Sequence, residues 1–453
     1  MSRAIELGPL SPGYNDVNAH DVGDVVRPTA PPEPVAKAAE RWVGLDLFRF
    51  CAVLLMVQGH VFTTLLDAAS KSERWYAYHR FLHGYTAPMF LFGAGLAFGY
   101  TTFRQWDAHV AFGKPAQKRF GRYGWLLAIG YGLHLPTLSL SRLLHISDPE
   151  QIGRMMQVDV LQHIGVSLGI CQLLVLVLRR QRVFIAAIAF LAAVLIVGAP
   201  WIWNLDVGGL PRWLAGYVNA TTGSLFPLAP WAGFTYVGIL VAYAVGLRPP
   251  ETTRDGERPK SVSERAAWPF LCLSLLSMIV PVLVDRFGRL PLPDHNFWKT
   301  DPLFFFWRLG NVMFVLALLC FVERALESGA ARGFVDRSAS FARRAAQRVA
   351  MGLARVTRPF LPWVKIVGAE TLAIYVAHLL ILYGSAIGPG LKHTSMFGEG
   401  TQGVVVAGLV TAVFLVAMTL LAKGVHELRK TPVGFRAVQL TLVGFIVVFA
   451  LIT

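Results

Sequence analysis

Stretches of about twenty predominantly apolar residues recur along this chain, each the length a helix needs to cross the hydrocarbon core of a bilayer. They fall at roughly 44–66, 82–103, 120–140, 158–178, 183–203, 224–246, 267–285, 303–322, 364–387, 403–422 and 434–452. In lipid every backbone N–H and C=O must be paired within the protein, so a spanning apolar segment has to be helical unless it closes a barrel. The expected fold is therefore all-α: a polytopic integral membrane helical bundle of about eleven transmembrane helices. Of the 453 residues, 55% are hydrophobic and only 15% charged. That balance excludes a disordered chain, a coiled coil and an ordinary soluble enzyme.

The net charge of +15 fits a topology signal better than a nucleic-acid partner. Most Lys and Arg fall in loops after even-numbered spans, which predicts a cytoplasmic N-terminus and an outward C-terminus. Residues 1–40 are polar and Pro-rich and read as a disordered cytoplasmic tail, leaving 41–453 as the membrane domain. The longest loop, 323–363, is strongly basic. Within it Phe341, Ala345, Val349 and Leu353 recur every fourth residue with Arg343, Arg344 and Arg348 between them. This predicts a basic amphipathic helix on the inner leaflet, either a surface anchor or the lining of an entrance for an anionic substrate.

Cys51, Cys171, Cys272 and Cys320 all lie in apolar blocks without metal-ligand spacing, so no metal is expected. Walker A, HExxH and GxSxG patterns are missing, as is any interleaving of basic and aromatic residues typical of nucleic-acid binding.

Ionisable side chains within spans are costly and mark candidate sites. In the first span Asp46, Arg49, Val53, Met56 and His60 share one helical face, and Gln58 lies beside His60 in sequence. Arg49 and His60 are about 16 Å apart along the axis. A cation below, an imidazole above and an apolar strip between suit a donor with an anionic head and a long thin arm, such as acyl-coenzyme A. Arg49 and the basic inner loops would hold its phosphates, with Asp46 helping to orient the coenzyme, and His60 would take the acceptor's proton. The plainer alternatives are an i, i+3 ion pair for Asp46 and Arg49 and an interhelical hydrogen bond for His60.

Further candidates cluster toward the outer half. Asp159 and His163 stand one turn apart, with Gln162, at the start of the fourth span. They are either an acceptor-orienting carboxylate–imidazole pair or a solvated helix start. Arg308 and Asn311 share a face in the eighth span, and Glu370, Ile374 and His378 form a stripe in the ninth, with Tyr375 close to His378. His83 and Tyr85 in the second span are further candidates, with interfacial anchoring as the plainer alternative, and Gly95 and Gly99 read as a close-packing face.

With these residues in view, the order of motifs resembles that of the transmembrane acyltransferases. Arg41, Leu45-Asp46, Arg49 and then His60 are similar to the opening of the acyltransferase-3 and heparan-α-glucosaminide N-acetyltransferase-like groups. The second group is the closer match, through Ala87-Pro88-Met89-Phe90-Leu91-Phe92-Gly93-Ala94-Gly95 and Val158-Asp159-Val160-Leu161-Gln162. Phe226-Pro227-Leu228-Ala229-Pro230-Trp231-Ala232-Gly233-Phe234 and the stretch from Gly368 through Tyr375 to His378 extend the resemblance over about 41–385.

The resemblance implies a helical membrane enzyme that takes acetyl or another acyl group from cytoplasmic acyl-CoA. The group would pass to a sugar amine or hydroxyl on the outer side, with the first-span polar residue at the reaction centre. The expected roles are His60 and Asp159 in catalysis and Asp46 and Arg49 at the coenzyme. Gln58, His163, Arg308, Asn311 and His378 are expected around the acceptor. Expected partners are membrane lipids and a glycan or lipid-linked sugar of the cell envelope, in a bacterial inner membrane; a homo-oligomer is compatible with such a chain, and no nucleic acid is expected. The main rival is a transporter or flippase of an anionic envelope precursor, using the same cations without chemistry. A non-catalytic scaffold or sensor is the third reading.

Overall fold

The computed structural model describes residues 41–246, 261–288, 291–327, 341–386 and 388–431, with a few positions beyond. The expected N-terminal tail and the expected eleventh span lie outside these, apart from isolated positions up to 440. The described chain is almost entirely helical, with one two-residue antiparallel ribbon pairing Gly384–Ser385 with Gly388–Pro389.

The principal helices are α1 (Val43–Leu65), α2 (Arg74–His83), α3 (Thr86–Arg104), α4 (Lys114–Leu133), α5 (Val160–Leu178), α6 (Gln181–Val197) and α7 (Leu228–Ala244). They continue as α8 (Val262–Phe287), α9 (Pro302–Glu327), α10 (Phe341–Thr357), α11 (Leu361–Ala369), α12 (Thr371–Tyr383) and α13 (Val404–Arg429). By length and composition, 6 described spans are long and apolar enough to cross a membrane, or up to 7 if a bent pair counts as one. Fewer than eleven meet the test for local reasons. α6 and α7 are shorter apolar helices. α6 ends at Gly198, two residues before Pro200, and α7 begins just after Pro227. α4 opens on the polar run Lys114-Pro115-Ala116-Gln117-Lys118-Arg119. The ninth expected span, 364–387, breaks at Glu370, where α11 and α12 meet in a bend of 77°.

Capping residues fix the other helix starts. Asp159 accepts from the Val160 N–H at 2.7 Å and Gln162 reaches back to the Asp159 N–H, a capping box for α5. Ser261 and Glu264 do the same for α8. α1 has no such local cap. Its first N–H groups, from Val43 and Gly44, donate instead to the buried carboxylate of Glu323 on α9, at 3.0 and 2.7 Å. Ser263 of α8 donates to the same carboxylate and accepts from the Trp42 indole at 3.0 Å. A distant side chain thus satisfies donors that a helix start leaves orphaned.

α1 packs against α3, α9, α11, α12 and α13, and α8 lies along α9. The α3–α7 contact depends on glycine. A Cβ on Gly95 would lie 1.8 Å from the Thr235 carbonyl oxygen, and one on Gly238 would lie 2.4 Å from that of Phe92. This is the close-packing face expected of Gly95 and Gly99, the latter against Ala242.

Candidate active site

Helix α1 carries His60 on its inner face, half-buried, and α2 and α12 bring two more imidazoles to it. The His60 ring lies 5.4 Å from that of His83 and 5.2 Å from that of His378. Gly59 makes the first approach feasible, because a Cβ there would fall 1.8 Å from the His83 ring nitrogen Nδ1. The break at Glu370 re-aims the chain so that α12 carries Tyr375, His378 and Tyr383 toward α1. Arg429 and His426 of α13 pair with the Glu370 carboxylate at 3.0 and 3.4 Å, holding the break in place.

The Tyr383 hydroxyl lies 3.0 Å from His60 Nδ1 and accepts from Thr64 at 3.0 Å. His378 Nδ1 is 2.9 Å from the Ile374 carbonyl, which directs its proton there and leaves Nε2 buried with no hydrogen-bond partner among the described residues.

A cavity of about 400 Å³ opens beside this cluster. His60, His83, Asp159, Tyr375, Lys299 and Arg308 supply its polar wall, with Met56, Phe226, Trp231 and Trp298 among its apolar surfaces. The Tyr375 hydroxyl donates to Asp159 at a long 3.4 Å, so that one carboxylate both caps α5 and faces the cavity. Arg308 donates to the Trp298 carbonyl at 3.0 Å and stacks over Phe304 at 4.4 Å. A second cavity of about 390 Å³ shares Trp298 and Arg308 and adds Arg80, which makes this mouth cationic.

The loop before α9 holds Trp298 and Lys299 in place. Asp301 accepts from the Phe304 N–H at 2.8 Å and meets His295 Nε2 at 3.0 Å, while His295 Nδ1 lies 2.8 Å from the Pro293 carbonyl. Partial burial works to lower the His295 pKa, but the Pro293 carbonyl and Asp301 outweigh it and the net shift is upward. A raised folded-state value means that this tie stabilises the loop fully below the ordinary histidine pKa, about 6.5. The tie weakens as pH rises through the folded value. Hydrogen-exchange protection across residues 291–301, taken relative to the intrinsic base-catalysed rate at each pH, should therefore be greater at pH 6 than at pH 8, and His295→Ala should abolish that difference.

Of the residues anticipated from sequence, His60, Asp159 and Arg308 line the cavity, and His378 packs against His60. The others are placed elsewhere. His163 is fully buried and its Nδ1 sits 2.9 Å from the Phe226 carbonyl, so it positions a cavity wall and is not paired with Asp159. Asn311 donates to Trp307 within its own helix at 2.8 Å. Gln58 is two residues from His60 and therefore points about 200° away around the helix. Asp46 is buried where α11 crosses α1, its backbone 3.0 Å from where a Cβ on Gly368 would lie, and Arg49 is half-buried. Neither lines the cavity, Val53 is packed in the core, and Met56 is buried at the cavity wall below His60. His83, Tyr383, Thr64 and Lys299 are additions that the sequence reading did not assign to a site. Among the described residues no group of three or more His, Cys, Asp or Glu could hold a metal ion.

A largely apolar cavity with imidazoles, a carboxylate and cations on one wall, set among helices able to cross a bilayer, fits an integral membrane protein. The family described as heparan-alpha-glucosaminide N-acetyltransferase, catalytic, matches residues 41–267, half of the chain. The chain belongs to this family, and membership implies an acyltransferase. No curated relative matches it. The matched stretch supplies His60, His83 and Asp159, while Arg308, Tyr375, His378 and Tyr383 come from beyond it.

Proposed function

We propose that the protein moves an acetyl or other acyl group from cytoplasmic acyl-CoA to a sugar amine or hydroxyl on the outer side of a bacterial inner membrane. The N-terminus would lie on the cytoplasmic side, as the distribution of Lys and Arg favours. The observation that carries the reading is the placement of His60: it faces a cavity with a polar wall at one end of a helix whose other end bears Asp46 and Arg49.

In the tautomer that donates Nδ1–H to the Tyr383 oxygen, His60 Nε2 is free to accept a proton. The acceptor's oxygen or nitrogen attacks the thioester carbonyl carbon, and its proton passes to Nε2. The C–S bond then breaks and the imidazolium returns a proton to the departing thiolate. His378, with Nε2 unpartnered, and Asp159, held by Tyr375, orient the acceptor. Arg308 and Lys299 offset the charge that develops on the carbonyl oxygen or bind an acidic acceptor. Asp46 and Arg49 hold the coenzyme end. Val53 is packed in the core, so the donor arm reaches His60 only if α1 parts from a neighbour or if the arm follows another helix face.

The test uses protein in lipid nanodiscs, acetyl-CoA and glucosamine. Acetylated sugar should form, and Arg49→Ala should weaken acetyl-CoA binding by tenfold or more. Glucosamine or a lipid-linked sugar crossing vesicles unchanged, with no acyl transfer and no donor binding, would favour a transporter.

A further inference from the structure

On the flank of the bundle away from the histidines, α1, α9, α10, α11 and α13 enclose an apolar groove of about 610 Å³. We propose that it seats one acyl chain of an anionic phospholipid, whose phosphate is held by Lys423. Nothing in this inference depends on the acyl-transfer reading.

The groove has the size of a small-molecule site. Phe50 and Cys51 of α1, Leu353 of α10, Trp363 of α11 and Leu415 and Leu420 of α13 wall it. Its few polar side chains are the hydroxyls of Thr357 and Thr419 and the Cys51 thiol. Two observations choose a lipid over a buried protein partner. The first is α10, where Val349, Leu353 and Val356 are exposed at helical spacing and Phe360 continues the stripe. Exposed Arg348 and Arg355 flank it, the pattern of a helix lying at a headgroup boundary.

The second is charge at the groove's end. Lys423 stands one turn beyond Thr419 on α13, exposed, with Nζ 5.1 Å from the centre of the Trp363 ring that walls the groove. Arg358 lies on the adjoining turn and donates to the Leu326 carbonyl at 3.3 Å. The facing acid is Glu427, which Lys430 engages at 2.8 and 2.9 Å. The rim therefore presents net positive charge to a phosphate, while the groove itself is lined mostly by apolar side chains. A bound chain would also brace α1 against α11 and α13, because all three wall the groove.

The experiment is native mass spectrometry of the full chain in detergent. Phosphatidylglycerol and phosphatidylcholine with identical acyl chains are added in equal amounts. One phosphatidylglycerol should be retained in preference. Lys423→Gln should cut that preference roughly fivefold, the effect of one basic residue beside an anionic headgroup. Leu353→Trp should fill the groove and remove retention of both lipids. A parallel measurement leaves the fold untouched: dibrominated phosphatidylglycerol should quench wild-type tryptophan emission more than that of Trp363→Phe. Equal retention of the two lipids, a preference unchanged in Lys423→Gln, or quenching identical in wild type and Trp363→Phe would overturn the proposal.

Discussion

His60→Ala should lower acyl transfer by about 10²- to 10⁴-fold, the range expected for loss of a positioned general base. Acetyl-CoA binding should persist, because the coenzyme end of the proposed site sits about 16 Å away along α1. The measurement is single-turnover acetyl transfer beside equilibrium donor binding on the same preparation. A pure hydrogen-bonding role would leave turnover nearly intact, since such interhelical bonds in membranes are worth only about 0.6 kcal/mol on average. Retention of more than a tenth of wild-type activity would therefore remove His60 from the chemistry. The environment argues against that result. His60 is not tied to one neighbour but is flanked by His83, His378 and Tyr383 and opens on the cavity.

Gly95→Ala should be the most damaging small substitution in the bundle. Its new methyl would fall 1.8 Å from a backbone oxygen, and its next neighbours are the carbonyl carbon and Cα of Thr235, so no side chain can rotate away. Overpacking typically costs about 1–3 kcal/mol, and separating α3 from α7 would also disturb the Gly238–Phe92 approach. Lower yield and a lower melting temperature in detergent are expected. Gly121→Ala on α4, where a Cβ meets nothing within 4 Å, is the matched control and should match or exceed wild type. Equal melting temperatures for the two variants would refute the packing argument.

Much of the helical order was legible, because apolar length alone specifies a membrane helix. The breaks were less so. Glu370 sits in an apolar stretch, and at the break it pairs with Arg429 and His426, residues more than fifty positions away. The same limit governed the site. His60, Asp159 and Arg308 stood out because charge and imidazole are expensive among apolar residues. His83 was legible as a candidate but not as a neighbour of His60, since its role comes from contact across helices. Gly59 held a clue: a glycine next to the candidate base marks a place where something approaches closely. Tyr383 and Thr64 gave no signal, being unremarkable near helix ends. Gln58 and Asn311 do not line the cavity, because polarity and sequence proximity do not fix the face a side chain shares.

The carboxylate that completes the start of α1 has a consequence for biosynthesis. Glu323 is 280 positions from Val43, so the leading amides of α1 are satisfied only once a much later helix has been made. Until α8 and α9 are in the bilayer, those donors depend on water or headgroups at the surface. The start of α1, and with it the setting of His60, is therefore completed only when α9 packs against it.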